Sequence, residues 1–272
     1  MKKIYSVING EFVLKNEASI LISDLSIQRG FGIFDFFRTV NNQPLFLEDH
    51  LQRFYFSASE MRMDVGYSVE EMKKLIRQLI DKNKIFDSGI RITLTGGYVE
   101  DGFTPAKSNL LISQTPFNFN YENFDKGIRL ITFKHQRQLP HVKTIDYLMA
   151  IYLQNSIKEH NADDVLYFNE NEITECPRSN FFIVTKNDEV LTPAKNILKG
   201  VTRKKILDFS EFTIKEQAIT KEDFSNAAEA FISSTTKNIL PVLEIDGKAI
   251  GDGTPGKITR KIYEHLISIK EK

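Results

Sequence analysis

The sequence predicts an α+β protein built from two regions, and three observations support this class. The chain of 272 residues is long enough for two compact domains. Apolar residues alternate as in strands in some segments and recur at helical spacing in others, in both halves of the chain. In the second half, antiparallel hairpins are more evident than strand–helix–strand units. We therefore predict a small N-terminal α+β domain over 1–116, a linker over 117–127 and a larger C-terminal domain over 128–272.

The first region is predicted to open with a hairpin, because Asn9-Gly10 is a strong two-residue turn signal. Two further strands are expected on either side of a turn at Asn41-Asn42. Two helices follow, and Ser68 with Glu71 three residues later forms a capping-box pattern at the start of the second. The strands "GIRITLTGG" and "SNLLISQTP" complete the region. The first helix is expected to bury one face, formed by Leu51, Phe54, Ala58 and Met61.

The predicted linker, "FNFNYENFDKG", follows Pro116, is polar and aromatic, and lacks periodicity. Beyond it we expect a strand, a helix from Tyr147 onward, a run of short strands from residue 163, and a helix that starts near Gly200. Further strands and a closing helix over 254–272 end the chain. The helix after Tyr147 is predicted to be amphipathic, with one face formed by Leu148, Ile151, Tyr152, Asn155 and Ile157.

The composition limits the classes of function. Lysine plus arginine and aspartate plus glutamate both number 36, so the basic excess of a nucleic-acid-binding protein is absent. No apolar run approaches the roughly 20 residues of a membrane span, and the N-terminus lacks the apolar core of a signal peptide. The single Cys176 excludes an intrachain disulfide and fits a reducing compartment. We expect a cytoplasmic protein that binds neither nucleic acid nor membrane.

Lys143 lies in an apolar, strand-like stretch between Val142 and Thr144. Lysine is rarely buried unless it is paired or chemically used. In one interpretation the side-chain stem packs while the ammonium group reaches water. In the other, the amine forms a Schiff base, which an apolar environment favours. The lysine does not decide between them without other residues.

Glu175 is predicted to stand on a largely buried strand, next to Cys176 and Pro177. It could be an edge-strand carboxylate or the partner of Arg178. It could also keep a pyridinium nitrogen protonated, as carboxylates do in pyridoxal phosphate enzymes. Asn180, beside the apolar strand that follows, is interpreted as structural.

Two segments could bind an anion. "LKGVTRKK" places Val201 and Thr202 where a helix begins, and "ISSTTKN" places four hydroxyls, from Ser233 to Thr236, in a loop after a strand. Ordinary helix capping would explain either segment equally well. Arg53 could add a positive charge or could be a solvated side chain. The chain has no dinucleotide-binding or Walker loop and no Cys/His spacing typical of a metal site.

The order of these motifs resembles that of the class IV aminotransferases, the fold-type IV pyridoxal phosphate enzymes. The motifs, from about residue 4 to the C-terminus, are "RGFGIFDFFR", "HLQRF", "VKTIDY", "ITECPRSNFFIV", "LTP", "ILKGVTRKKIL" and "SSTTKNILPV". This family includes branched-chain aminotransferases, D-amino acid aminotransferases and aminodeoxychorismate lyases. The resemblance implies a small N-terminal α+β domain, a larger C-terminal pseudo-barrel α/β domain, and a homodimer.

The resemblance also implies a role for each motif. Lys143 looks like the lysine that forms a Schiff base with pyridoxal 5′-phosphate (PLP) and later moves a proton. Glu175 is similar to the partner of the cofactor's ring nitrogen. The cofactor phosphate would be bound by Arg53, Val201, Thr202, Ser234 and Thr235, and the substrate would meet Phe34, Arg91, Thr235 and Thr236.

The sequence departs from the family pattern at several positions. Phe31 and Asp35 replace the acid and the glutamate of the usual R-G-D-G motif. Asp101 and Phe103 stand where D-amino acid aminotransferases carry an Arg-x-His pair that binds the substrate carboxylate. This difference disfavours specificity for D-amino acids. Asp146 replaces an asparagine, and could affect the Schiff base or cap the helix that follows.

We therefore predict a PLP-dependent aminotransferase that moves an amino group between a branched-chain or similar amino acid and a 2-oxo acid. The alternatives are a D-amino acid aminotransferase and an aminodeoxychorismate lyase, although the lyases carry threonine at the place of Asp35. A binding protein without cofactor would need to have lost Lys143, Glu175 or the phosphate loops, and the sequence retains them.

Overall fold

The computed structural model describes residues 3–120 and 122–270, and the chain divides into two compact units. The first comprises Met1–Asn118 and Val142–Asp146, and the second comprises Phe119–His141 and Tyr147–Lys272. The segment that carries Lys143 thus belongs to the first unit. The domain boundaries inferred from sequence remain a prediction, and Tyr121 of the predicted linker lies outside the described residues.

The first unit contains a six-stranded antiparallel sheet in the order β2-β1-β6-β5-β3-β4. Helices α2 and α3 pack on this sheet, and the apolar side chains between them form the core of the unit. Its elements are β1 Tyr5–Ile8, β2 Glu11–Leu14, α1 Leu25–Arg29, β3 Gly32–Val40, β4 Gln43–Pro44, α2 Leu47–Glu60, α3 Val69–Asn83, β5 Ser88–Thr95 and β6 Asn109–Pro116.

The start of α3 confirms the predicted capping box. The Ser68 hydroxyl accepts a hydrogen bond from the Glu71 amide at 3.3 Å, and the Glu71 carboxylate accepts one from the Ser68 amide at 2.7 Å. The short helix α1 was not predicted. The Asp24 side chain caps its first turn, and Gly30, at φ 66°, ends it in a left-handed conformation that suits glycine.

The second unit contains a mixed sheet in the order β13-β12-β11-β14-β15-β7-β8-β9, with β10 paired to β11 and β16 paired to β15. Its elements are α4 Asn123–Lys126, β7 Ile128–Lys134, α5 Leu148–Tyr152, α6 Gln154–Glu159, β8 Asp164–Asn169, β9 Glu172–Ile173, β10 Glu175–Cys176, β11 Ser179–Val184, β12 Val190–Pro193, α7 Val201–Leu207, β13 Ile214–Gln217, α8 Lys221–Ser225, β14 Glu229–Ser234, β15 Asn238–Ile245, β16 Lys248–Ala249 and α9 Lys257–Ser268.

This sheet is more parallel than the sequence suggested. Strands β7 and β8 pair in parallel, and so do β15 with β7 and β12 with β13. Helices α5 and α6 lie between β7 and β8 in the chain and form the crossover that a parallel pair requires. The α+β class is confirmed, because helices and a mainly antiparallel sheet coexist in both units. Among the described residues, no helix combines the length and apolar character needed to cross a membrane.

The prediction of one amphipathic helix after Lys143 was wrong. The segment forms two short helices that break at Leu153, and the residues turned inward are Leu153 and Ile157. Leu148, Ile151 and Tyr152 instead have exposed fractions of 75%, 70% and 73%. The spacing of apolar residues predicted helical structure, which the segment has. It did not predict the break at Leu153, nor that Leu148, Ile151 and Tyr152 are left uncovered within one chain.

The segment interpreted as a linker also contains structure. Residues 123–126 form α4, and Phe124 is buried against Tyr263 of α9, with ring centres 4.4 Å apart. A four-residue helix is too short to produce a periodic pattern, so sequence spacing could not predict it.

Candidate active site

The backbone of Lys143 is held by elements of the first unit. The carbonyl of Lys143 accepts a hydrogen bond from the Phe34 amide at 2.9 Å, and the Ile145 amide donates to the Gly32 carbonyl at 3.0 Å. The Lys143 amide donates to the Ser57 hydroxyl of α2 at 3.2 Å. These bonds attach residues 143–145 to the start of β3 and fix the point from which the lysine side chain projects.

The side chain of Lys143 lies beside an aromatic ring. Its Nζ is 4.6 Å from the centre of the buried Phe34 ring, and the guanidinium carbon of Arg91 is 3.8 Å from the same centre. Phe34 is on β3 and Arg91 is on the paired strand β5, with Arg91 opposite Phe36 in the register. Three of the predicted site residues are therefore neighbours, and Lys143 is half-buried against an apolar wall.

Arg53 points from α2 toward Asp35 of β3 and forms a two-pronged ion pair with it. Its Nε donates to Asp35 Oδ2 and its second terminal nitrogen donates to Oδ1, both at 2.8 Å. His50, one helical turn earlier, lies 2.7 Å from the same carboxylate through Nδ1. A neutral ring with its proton on Nδ1 can donate this bond. Asp35 thereby orients Arg53, which keeps a small exposed fraction.

Burial and the neighbouring charges determine the protonation states of Asp35 and His50. Burial would raise the pKa of Asp35, but the Arg53 guanidinium and His50 hold that pKa well below its ordinary value. Burial lowers the pKa of His50, and the positive charges of Arg53 and Lys143 lower it further, against the opposing effect of Asp35. At neutral pH the cluster therefore consists of an ionised carboxylate, a neutral imidazole and a guanidinium.

Glu175 of the second unit is buried and accepts hydrogen bonds from Arg137, Leu198 and Asn180. Its Oε1 accepts from the Arg137 guanidinium at 2.9 Å, and its Oε2 accepts from the Leu198 amide at 3.0 Å. The partner considered from sequence, Arg178, is exposed, and Arg137 takes that place. The carboxylate is thus fixed in orientation by donors from two separate loops.

Asn180 connects Glu175 to the start of α7. Its side-chain amide donates to the Leu198 carbonyl at 2.7 Å and lies 3.4 Å from Glu175 Oε2. A side chain on Gly200, the N-cap of α7, would drive its Cβ into the side-chain oxygen of Asn180, so only glycine fits there without displacing the amide. Val201 and Thr202 follow as the first, buried residues of α7.

Ser234 is the last residue of β14, and Thr235 and Thr236 lie in the turn that follows it and leads into β15. The Ser234 hydroxyl accepts from the Lys237 amide at 3.1 Å and lies 3.5 Å from the Thr236 hydroxyl. Thr236 is exposed, whereas Ser234 and Thr235 are half-buried. The turn therefore presents hydroxyls and backbone amides at an accessible edge of the sheet.

Within the first unit the structure brings Lys143, Phe34 and Arg91 together, and Arg53 is fixed on α2 by Asp35. Within the second, Glu175 is linked through Asn180 of β11 to the loop that leads into α7. Thr235 and Thr236 follow β14, which pairs with β11.

Sequence reasoning missed His50, Asp35 and Arg137 as members of these clusters. Helical spacing could have indicated His50, since it precedes Arg53 by three residues. Arg137 lies in an irregular loop, where no spacing signal exists.

Comparison with known proteins shows the family of this chain. The family model described as amino-transferase class IV matches residues 32–245. D-alanine aminotransferase of Staphylococcus haemolyticus is 32% identical over 273 residues, covering 97% of this chain and 96% of the relative.

Solved structures confirm the fold. Branched-chain amino acid aminotransferase of Escherichia coli superposes with a TM-score of 0.91 at 24% identity, covering 98% of this chain and 95% of that one. The branched-chain enzyme of T.th., solved with pyridoxamine 5′-phosphate, also gives a TM-score of 0.91, at 22% identity and with 99% and 95% covered. The fold-type IV prediction is thus confirmed, and the chain belongs to the class IV aminotransferases, which are PLP-dependent transaminases.

Proposed function

We propose that this transaminase acts on amino acids with apolar, branched-chain or similar side chains, uses a 2-oxo acid as acceptor, and binds PLP through a Schiff base to Lys143. The observation that carries the proposal is the Phe34 ring, which lies against both the Lys143 amine and the Arg91 guanidinium. A substrate held at the amine would meet an aromatic wall with a cation beside it.

The chemistry of the residues fits PLP. Glu175 offers an oriented carboxylate to a protonated ring nitrogen, and Arg53 offers a guanidinium to a phosphate. The amides and hydroxyls of Val201, Thr202, Ser234 and Thr235 suit phosphate oxygens. PLP, when bound, supplies an electron sink that makes the Cα proton of an amino acid acidic. We propose that all these residues bind the same cofactor molecule.

The remaining chemistry belongs to Lys143. The amine at Nζ can take the Cα proton and return it elsewhere, provided that it is neutral when it acts. The apolar ring of Phe34 lies close to it, and the Ser57 and Phe34 bonds keep its backbone in place.

Arg91 has a second use in this proposal. The residue is exposed beside Phe34, and its Nε donates to the Thr93 hydroxyl at 3.3 Å. A dicarboxylate acceptor could place its distal carboxylate on Arg91, whereas an apolar donor would contact only the ring. We propose that the turn at Thr235 and Thr236 binds the carboxylate attached to Cα of both substrates.

D-alanine is the second candidate donor, favoured by the sequence relatives. The loop that would decide contains Asp101, whose carboxylate accepts from the Phe103 and Thr104 amides at 2.9 Å each. Hydrogen bonds from Thr104 and Phe103 lower the pKa of Asp101 to about 2. This loop carries an anion where binding of a substrate carboxylate would require a cation, and this favours the first candidate.

Reduction with borohydride tests the covalent proposal. Purified protein loaded with PLP should show a visible absorption band, lose it on reduction, and give a modified peptide that contains Lys143. Lys143→Ala should abolish the modification and the transamination activity, whereas Lys158→Ala, which removes an exposed lysine of α6, should preserve both. Modification at another lysine would contradict the proposal.

A donor screen tests the substrate. Loss of the visible band on addition of L-leucine, L-isoleucine or L-valine supports the apolar L-amino acid proposal, and a response to D-alanine without a response to these three contradicts it. Arg91→Gln should raise KM for 2-oxoglutarate and leave KM for the apolar donor unchanged.

We also propose a homodimer in the cytoplasm. Exposed apolar side chains support the dimer: Leu148, Ile151 and Tyr152 in the second unit, and Leu21, Ile22 and Phe103 in the first. The single Cys176, buried as a free thiol, supports a reducing compartment. Sedimentation of the purified protein tests the dimer.

A further inference from the structure

The turn that carries Ser234, Thr235 and Thr236 is tied down by two lysine side chains. Lys237 Nζ lies 2.6 Å from Asp164 Oδ2. Lys270 donates to the side-chain oxygen of Asn238, which has a φ of 54° and closes the turn. The family motifs assigned no role to either lysine.

The Lys237–Asp164 pair is partly shielded from water. The Asp164 side chain is 6% exposed and that of Lys237 is 21% exposed, so solvent screens the pair less than an ordinary surface pair. Asp164 is the first residue of β8, where it is paired with Leu130 of β7, and its Oδ1 accepts from the Val165 amide at 3.0 Å. The anion is therefore fixed to the sheet.

Lys237 transmits this fixed position to the turn. Its backbone amide donates to the Ser234 hydroxyl at 3.1 Å, so the residue whose side chain binds Asp164 also orients a hydroxyl of the turn. Its side chain spans from the β14–β15 turn to β8, which is not a neighbour of either strand in the sheet order. The ion pair thus adds a restraint on the turn that its own two strands do not supply.

We propose that Lys237 is a positioning residue, which through its ion pair with Asp164 holds the Ser234–Thr236 turn in the geometry that binds the phosphate of the cofactor. This inference rests on the proposed role of the turn. A preorganised turn binds a phosphate without losing conformational freedom at the moment of binding, and a loosened turn must lose it.

Two physical effects of Lys237 can be separated by the choice of variant. Lys237→Met removes both the positive charge and the ion pair, and keeps a long side chain. Asp164→Asn keeps the lysine charge near the turn but weakens its attachment to β8. If Lys237 acted only as a positive charge toward the phosphate, Asp164→Asn would not weaken phosphate binding. Positioning requires that both variants weaken it.

Titration of the apoprotein with PLP and with pyridoxal, which lacks the phosphate, is the test. We expect Lys237→Met and Asp164→Asn each to weaken PLP affinity about tenfold, the scale on which loss of an outer-shell partner weakens a ligand site. Affinity for pyridoxal should stay unchanged, because pyridoxal has no phosphate for the turn to bind. A general loss of structure would instead lower the affinity for both ligands. Lys237→Arg should restore most of the PLP affinity, since it rebuilds the ion pair.

Lys215→Met is the matched control, because Lys215 pairs with Glu189 at the β13 edge of the same sheet. It should bind PLP like the wild type. If Lys237→Met does not fold, Lys237→Gln is used in its place. The proposal is overturned if PLP and pyridoxal weaken equally, if Asp164→Asn binds PLP normally, or if neither variant changes PLP affinity. A wild-type chain that binds no PLP would overturn the proposed function itself.

Discussion

Each unit of the chain contains a buried carboxylate paired with an arginine, and the two pairs are arranged in opposite ways. In the first unit the Asp35 side chain is 0% exposed and Arg53 is 11% exposed. In the second, Glu175 is 6% exposed and Arg137 is 16% exposed. Asp35 uses both oxygens to hold one arginine and a histidine, whereas Glu175 is itself held by an arginine and a backbone amide.

The difference indicates which member of each pair would do the chemistry. In the first pair the carboxylate of Asp35 orients the guanidinium of Arg53, which would be the group that contacts a phosphate. In the second the cation is the support and the anion is left for the ligand, as a protonated ring nitrogen would require. The two pairs would therefore offer opposite charges to the cofactor, and removing the supporting residue should affect each unit differently.

The largest expected effect follows loss of the support in the first unit. Asp35→Asn leaves the Arg53 guanidinium without a counter-charge in a buried place, and breaking such a pair costs about 3 kcal/mol or more in the free energy of unfolding. Urea denaturation of the variant measures this cost. Glu48→Gln is the control, because Glu48 is 77% exposed and its contact with Lys73 is 3.5 Å long. Equal stability of the two variants would contradict the comparison.

The same amide substitution in the second unit should affect turnover more than stability. Glu175→Gln keeps the shape but removes the anion, and we expect kcat to fall about a hundredfold, as for other losses of one preorganised electrostatic contact. Arg137 retains access to water and to the Pro140 carbonyl, so the loss of stability should be smaller than for Asp35→Asn. Glu172→Gln, which changes an exposed neighbour, is the control. A Glu175→Gln enzyme with normal kcat would exclude the assigned role.

The smallest effect is a dependence of stability on pH that originates at His50 in the first unit. The pKa of His50 is lowered in the folded chain from an ordinary value of 6.5, so between those two pKa values the unfolded chain binds more protons. Stability should therefore fall as pH decreases through about 6.5, by at most about 1.4 kcal/mol per pH unit from this residue. Thermal denaturation at about pH 7.5 and pH 5.5, on either side of this value, should show a smaller difference for His50→Gln than for the wild type. An unchanged difference would contradict the assignment.

Sequence spacing predicted the elements whose cause is local. The capping box at Ser68 and Glu71, the start of α7 after Gly200 and the strands around Glu175 all depend on residues a few positions apart. The family, confirmed by the comparisons, was also recognisable, because its motifs keep their order and spacing along the chain.

The parts that could not be predicted depend on contacts between distant residues. Glu175 binds Arg137, 38 positions earlier, whereas proximity in the sequence suggested Arg178. The apolar face after Lys143 was expected to be buried, but periodicity does not say what covers a face. The roles of the individual site residues, including Lys143 as the covalent anchor, remain predictions that the variants above test.

Asn180, interpreted from the sequence as structural, joins the buried carboxylate of Glu175 to the loop ahead of α7. Its amide nitrogen donates to both Glu175 Oε2 and the Leu198 carbonyl, and its amide oxygen faces Gly200. Asn180 therefore fixes the position of the Glu175 carboxylate relative to the loop that leads into α7. Because one amide group contacts both, a shift of the strand that carries Glu175 would have to displace the loop ahead of α7 as well.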